Sequence, residues 1–166
     1  MKPLKNGEYR FKSQETELNK TFKARSKHLL QMETKIESKV GKLNGSAERV
    51  YAFLSNFNNF ERLIPQDKVK DWSSTEDHCH FKVDGVGEAG LRIIEKEPNT
   101  LIKITGEEGS KLSFFFWIQL KETAPSVTNI KLTIKADLNP MLKMMASKPL
   151  QNFVDTLIDQ LEKVPF

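Results

Sequence analysis

Residues 127–161 read VTNIKLTIKADLNPMLKMMASKPLQNFVDTLIDQL. In the first part Ile130, Leu132, Ile134 and Ala136 alternate with Lys131, Thr133 and Lys135, the period of a strand with one apolar face. Asn139-Pro140 then opens a helix. The asparagine can cap an orphan backbone N–H, and the proline sits where a missing N–H costs nothing. Met141, Leu142, Met144, Met145, Leu150, Phe153, Val154, Leu157, Ile158 and Leu161 follow, mostly at steps of three and four. Pro149 predicts a kink or interruption near Ala146-Ser147. A long strand feeding a long amphipathic helix suggests a grip, a curved sheet closed over a helix with a cavity between them.

The preceding residues supply the sheet. Ile36, Ser38 and Val40 alternate with Glu37, Lys39 and Gly41, and predict a first strand with the former set inward. Ser46 is an N-cap for a helix bearing Val50, Tyr51, Phe53 and Leu54. A second short helix is expected from Asn58 to Leu63, ending before Pro65. Six strands are expected next, over 68–74, 78–84, 88–95, 101–105, 111–121 and 127–138. Turn signals between them, such as Glu97-Pro98-Asn99, indicate an antiparallel meander rather than βαβ units. The fold class is therefore α+β: a curved antiparallel sheet of about seven strands wrapped on a long C-terminal helix, with two short helices after strand 1.

The faces of these strands define a candidate ligand site. Phe114, Phe116, Ile118 and Leu120 form the inward set of one strand, continued by Ile102 and Ile104, by Ala89, Leu91 and Ile93, and by Phe81 and Val83. Met141, Met144 and Met145 are flexible gap-fillers suited to an adaptable wall. The expected ligand-binding residues are Phe57, Phe60, Ile64, Phe81, Leu91, Ile93, Ile104, Phe114, Phe116, Leu132, Met141, Met144, Met145 and Phe153. Entry is expected near Phe57 to Ile64 and Met141 to Met145. Ser38 is a polar handle on the same face. Phe115 and Trp117 point the opposite way, joined by an outward Trp72, and offer a partner or homodimer surface.

The composition, 38% hydrophobic and 29% charged over 166 residues, suits one globular domain with a real core. The net charge of +4 is unevenly placed. Residues 1–31 hold eight Lys or Arg and three acids, a net of +5, which leaves 18 basic and 19 acidic residues in the remainder, a net of −1. That body is a solvated surface of mixed sign, and no nucleic-acid partner is expected. Residues 1–31 read as a basic N-terminal extension, disordered or not translated, with Met32 as the expected start of a domain over 32–166. The rivals are a mobile tail or an added helix on the sheet, and the intact mass from the native host decides between an extension that is made and one that is not. No apolar run approaches the roughly 18 residues of a membrane helix. One cysteine, Cys79, excludes an internal disulfide and suggests a reducing, cytoplasmic compartment.

Catalytic and metal signatures are weak. His78 and His80 share a strand face, but that face is the outer one and Cys79 points away, so no metal and no cofactor are expected. Glu95 would point inward with Leu91 and Ile93 if its strand stays regular, as the base of an alternative cyclase or dehydratase. No histidine is placed to activate Ser38, and Gly85-Val86-Gly87 lacks the helix that a phosphate loop requires. No catalytic constellation results.

Several stretches resemble the START-like (SRPBCC) superfamily, with the helix-grip fold of the major birch pollen allergen. They are Ser46-Ala47-Glu48-Arg49-Val50-Tyr51-Ala52-Phe53-Leu54-Ser55, Gly90-Leu91-Arg92-Ile93-Ile94-Glu95, and Asp137-Leu138-Asn139-Pro140-Met141 with Lys148-Pro149-Leu150. The likeness spans Met32 to Val164 and is nearest the bacterial polyketide cyclase/dehydrase-like and coenzyme-Q-binding-like branches. It implies an apolar small molecule, a lipid, sterol, quinone or polyketide, held between helix and sheet. Some members catalyse cyclisation or dehydration and others serve as protein cofactors. The superfamily has no single catalytic signature, so no catalytic residue carries over.

Overall fold

The computed structural model describes residues 32–85, 87–110 and 112–166; the reading of residues 1–31 lies outside them. Among the described residues eight strands form: β1 Met32–Glu37, β2 Gly41–Asn44, β3 Val69–Ser74, β4 His78–Val83, β5 Gly87–Glu97, β6 Leu101–Gly106, β7 Phe114–Ala124 and β8 Val127–Leu138. Two α-helices accompany them among the described residues, α1 Ala47–Leu54 and α2 Pro140–Leu161. The sheet order is β1-β8-β7-β6-β5-β4-β3, with β2 also paired to β8. β3 to β8 are a plain antiparallel meander, as the turn spacing predicts.

Eight strands stand where about seven are expected because the first is split at Ser38. Its N–H donates to Leu132 O at 2.8 Å, while its hydroxyl accepts from Leu132 N–H at 2.9 Å and donates to Lys39 O at 2.7 Å. The side chain thus takes the place of a ladder carbonyl and the chain bends out. Val40, expected inward, is 62% exposed. Ser38 is no polar handle for a ligand either, because its hydroxyl is committed to backbone.

Ser46 caps α1 as expected, accepting from Arg49 N–H. The second short helix is replaced by two 3₁₀ turns, Phe57–Asn59 and Glu61–Leu63. Asn56 caps the first turn, and bonds from Phe60 N–H to Phe57 O and from Leu63 N–H to Phe60 O keep the three-residue period. That period stacks Phe57, Phe60 and Leu63 on one side, and all three are buried.

Helix α2 is continuous through Pro149, with no interruption at Ala146-Ser147. The bond that Pro149 cannot make, to Met145 O, falls where the helix is exposed, and Ser147 Oγ donates to Lys143 O at 2.6 Å one turn earlier. The C-terminal half is the anchored part: Val154, Leu157, Ile158 and Leu161 are buried. The backbone freed at the β1–β2 break is met by this half. Lys39 N–H donates to Asp155 Oδ1 at 2.8 Å and Lys42 N–H to Glu162 Oε1 at 3.0 Å, while Gln151 Nε2 donates to Glu37 O at 2.8 Å. The Lys39 N–H, then the Gln151 amide, hold the Asp155 carboxyl below its ordinary range.

Gly41 sets how closely helix and sheet approach. A Cβ there would lie 2.6 Å from Ile158 Cγ2 and 2.9 Å from Ile130 Cγ2, both on buried side chains. Gly41→Ala is expected to lower stability by about 1–3 kcal/mol through overpacking, read as a lower urea midpoint. No helix among the described residues is long and apolar enough to cross a membrane.

Candidate ligand groove

The register lines up the inner face across the sheet. Cys79 lies opposite Leu91, Ile93 opposite Ile104, Ile104 opposite Phe116, and Phe116 opposite Ile134. Ile104, Phe116 and Leu132 are buried there. Phe81, Leu91, Ile93 and Phe114 are only half-buried. Phe57 and Phe60 are buried in the 3₁₀ turns, and Ile64 after them is half-buried. Met141, Met144, Met145 and Phe153 are exposed, Met144 to 85%. The expected site residues therefore fall into a buried floor, a half-covered strip on β4, β5 and β7 together with Ile64, and exposed residues of α2, the methionines in its first half and Phe153 in its second. The strip and the methionines lie at the same end of the sheet, since Phe114 pairs with Ala136 just before α2.

Sequence reading misplaced two residues near this face. Trp72 does not join the outer aromatics; it stacks on Phe81, ring centroids 5.5 Å apart, and packs on the core. A register shift between Lys70 and Ser73, with Asp71 at φ 53°, re-phases β3. Glu95 does not point inward. A register shift between Ile93 and Glu95 places it opposite Lys103, exposed. The proposed base of the cyclase alternative is thereby removed from the inner face.

The inner face is apolar in character. Among the described residues no buried side-chain nitrogen or oxygen lacks a hydrogen-bond partner. Cys79 is buried, and burial pushes its thiol up to about 12, so it stays a protonated core side chain. A surface depression of about 420 Å³ is bounded by Asp71, His80, Lys82, Glu88 and Glu107, with Phe81, Ala89 and Gly90 completing its lining.

On the outer face the histidines meet a carboxylate. Glu107 Oε1 is 2.9 Å from His78 Nδ1 and 3.6 Å from His80 Nε2. Gly90 leaves the space for this reach, because a Cβ there would lie 2.5 Å from Glu107 Cγ and 2.9 Å from His80 Nδ1. Among the described residues no group of three His, Cys, Asp or Glu side chains is arranged to hold a metal. The His78 hydrogen bond, then the charge of His80, hold the Glu107 carboxyl below its ordinary range. A lowered carboxyl stabilises the fold above its unfolded-state value, and the contribution is lost as pH falls through the folded value. The urea midpoint of wild type is thus expected to exceed that of Glu107→Gln at about pH 5–6, and the gap to close toward about pH 3.

Phe115 and Trp117 occupy the outer face, with Lys103 Nζ 4.5 Å from one ring centroid and 5.4 Å from the other. Phe115 is 38% exposed.

No family model matches the chain, and no curated protein matches it. Solved structures do. An uncharacterized protein from Bacillus thuringiensis superposes with a TM-score of 0.60 at 13% identity, over 79% of this chain and 96% of that one. A START superfamily protein from Mycobacterium smegmatis gives 0.57 at 15% identity, over 77% and 94%. Norcoclaurine synthase from Thalictrum flavum, in complex with dopamine and hydroxybenzaldehyde, gives 0.59 at 15% identity, over 83% and 92%. At these identities the likeness is one of fold: the chain is an α+β helix-grip domain, built like the START superfamily protein and norcoclaurine synthase.

Proposed function

We propose that the chain binds a small apolar molecule, of lipid, quinone or polyketide-like kind, between the inner face of the sheet and the first half of α2. The observation that carries this reading is the half-covered strip of Phe81, Leu91, Ile93 and Phe114 at the end where Met141, Met144 and Met145 stand uncovered. Ile104, Phe116 and Leu132 supply the floor, with Phe57, Phe60 and Ile64 beside it and Phe153 further along the helix. Affinity comes from apolar burial, and the methionines adapt to the ligand's shape. The small aromatic molecules held by norcoclaurine synthase support a ligand role for this fold. The buried lone cysteine fits a reducing compartment, the cytoplasm.

Native mass spectrometry of the purified protein, set against its denatured mass, tests the reading. A discrete extra mass released on denaturation is the expected result. A clean apo mass together with failure of a panel of fluorescent fatty acid and quinone analogues to bind overturns it. Met145→Trp is expected to weaken such a probe while leaving stability within about 0.5 kcal/mol, because Met145 is exposed rather than core. A second reading places a second copy of the chain on the Phe115–Trp117 face; its support is the exposed Phe115 ring, and concentration-dependent sedimentation is its test.

A further inference from the structure

The inner face carries a stacked aromatic pair. Trp72 on β3 and Phe81 on β4 have ring centroids 5.5 Å apart and planes 17° from parallel, and both are half-buried. The indole is held in place: its Nε1–H donates to Ser74 Oγ at 3.2 Å, and Ser74 Oγ donates to Asn58 Oδ1 at 2.8 Å. Strands β3 and β5 flank β4 on opposite sides. One face of the Phe81 ring is therefore taken by Trp72. The other is turned toward β5, where the partner across the ladder is Ala89, and a methyl group cannot cover a ring. One inward pair further along β5, Leu91 lies opposite Gly106. A Cβ at Gly106 would lie 3.1 Å from Phe114 Cε1, so the Phe114 ring leans over β6. Three strand spacings separate β4 from β7, about 14 Å, and the lean of Phe114 takes up one of them. The roughly 10 Å left between Phe81 and Phe114 equals two ordinary stacking separations of about 5 Å.

We infer that this gap selects a flat ring over a flexible chain: an aromatic or conjugated ring laid over Ala89, with one face on Phe81 and its far side against Phe114. The inference rests on the ligand-binding reading above and narrows it from apolar molecules at large to planar ones. Rigidity is the reason. Trp72 and Phe81 form a flat surface that is already set, so a flat ligand gains a stacking contact over its whole face without ordering the protein. A saturated chain touches that surface along a line and gives up its own rotamer freedom to do so. The methionines of α2, by contrast, adapt to any shape and select none. Ser110 Oγ, 3.0 Å from the same Cβ position at Gly106, brings a hydroxyl to the edge of the gap, where it can bond an oxygen substituent of the ring. Phe81, Ala89, Leu91, Gly106, Ser110 and Phe114 bring no charge to the gap, which suits a neutral ring.

Calorimetric titration of the full chain with 2-naphthol and with 1-decanol tests it, because the two share carbon count and a single hydroxyl and differ in flatness. Phe81→Leu keeps an apolar side chain but removes the stacking face. It is expected to lower the affinity for 2-naphthol by about tenfold and that for 1-decanol by no more than about twofold. Ala89→Leu fills the gap from the other side and is expected to give the same pattern. Ala89 is only half-buried, so this variant serves if Phe81→Leu fails to fold, and urea midpoints show that each is folded under the titration conditions. Equal losses for the two ligands, or undiminished 2-naphthol binding in both variants, overturn the preference for a ring and leave the container reading standing. Failure of wild type to bind either ligand overturns the inference together with the reading it rests on.

Discussion

Phe57→Ala is expected to lower the stability of this domain by about 3–5 kcal/mol. The ring is 1% exposed and meets Phe60 edge-on, with centroids 5.2 Å apart. Its backbone N–H donates to Glu76 O at 2.9 Å, which ties the 3₁₀ turns to the β3–β4 connection. Truncation removes the transfer energy of a large ring and leaves a void, and the pinned backbone limits how far that void can close. Against a total stability of about 5–15 kcal/mol, this is about a fifth of the total or more. Urea unfolding checks it: the midpoint is expected to drop with the slope unchanged, as for a loss of native packing. The same result bears on the entrance. A residue of a gate that opens easily would cost about 1 kcal/mol or less on truncation. A large loss fixes Phe57 as floor and leaves the half-buried Ile64 and the exposed methionines as the parts free to move.

The sequence was legible wherever a single period governed the chain. The alternation in Ile130, Leu132 and Ile134 and in Phe114, Phe116 and Ile118 predicts the inner face, and the register pairs these residues directly across β7 and β8. Asn139-Pro140 marks the start of α2, where the Asn139 side chain accepts from Leu142 N–H. Readings failed where a local irregularity broke the period. Shifts at Lys70–Ser73 and at Ile93–Glu95 turned Trp72 inward and Glu95 outward. A one-residue slip reverses every side chain beyond it, and nothing in the local sequence flags a bulge reliably. The split at Ser38 came from a serine hydroxyl standing in for a carbonyl, a long-range bond to Leu132 that no local pattern contains. Burial along α2 was the deeper gap. Helical spacing marks Met141 and Leu157 alike as apolar, yet only the second half of the helix meets the sheet, because its partners are the broken edge at Lys39 to Lys42 and Gly41. The candidate site follows from that difference between the two halves. The pairing of Glu107 with His78 and His80 was hidden for a similar reason, since it depends on Gly90 standing opposite His80 in the register.

Phe114→Asp and Phe115→Asp, adjacent substitutions on one strand, should separate the two faces by a wide margin. Phe114 pairs with Ala136 and lies on the inner, half-covered strip; Phe115 pairs with Lys135 and is exposed on the outer face. A carboxylate at 114 stands where the ligand would seal water out, and an unpaired charge desolvated by an apolar molecule costs several kcal/mol unless it takes up a proton. Affinity for an apolar probe is therefore expected to fall by about a hundredfold, equivalent to ~2.7 kcal/mol. A carboxylate at 115 stays in water, and Lys103, whose Nζ lies 4.5 Å from the Phe115 ring centroid, is placed to neutralise it. Probe affinity there is expected to hold within about twofold. Fluorescence titration of both variants at matched folded fraction makes the comparison. Equal loss in the two would mean that the probe reads a general loosening of the domain. Loss at 115 alone would move the binding surface to the convex face. Loss at 114 alone requires the ligand to lie on the concave side, because a period of two along a strand leaves adjacent side chains no common surface.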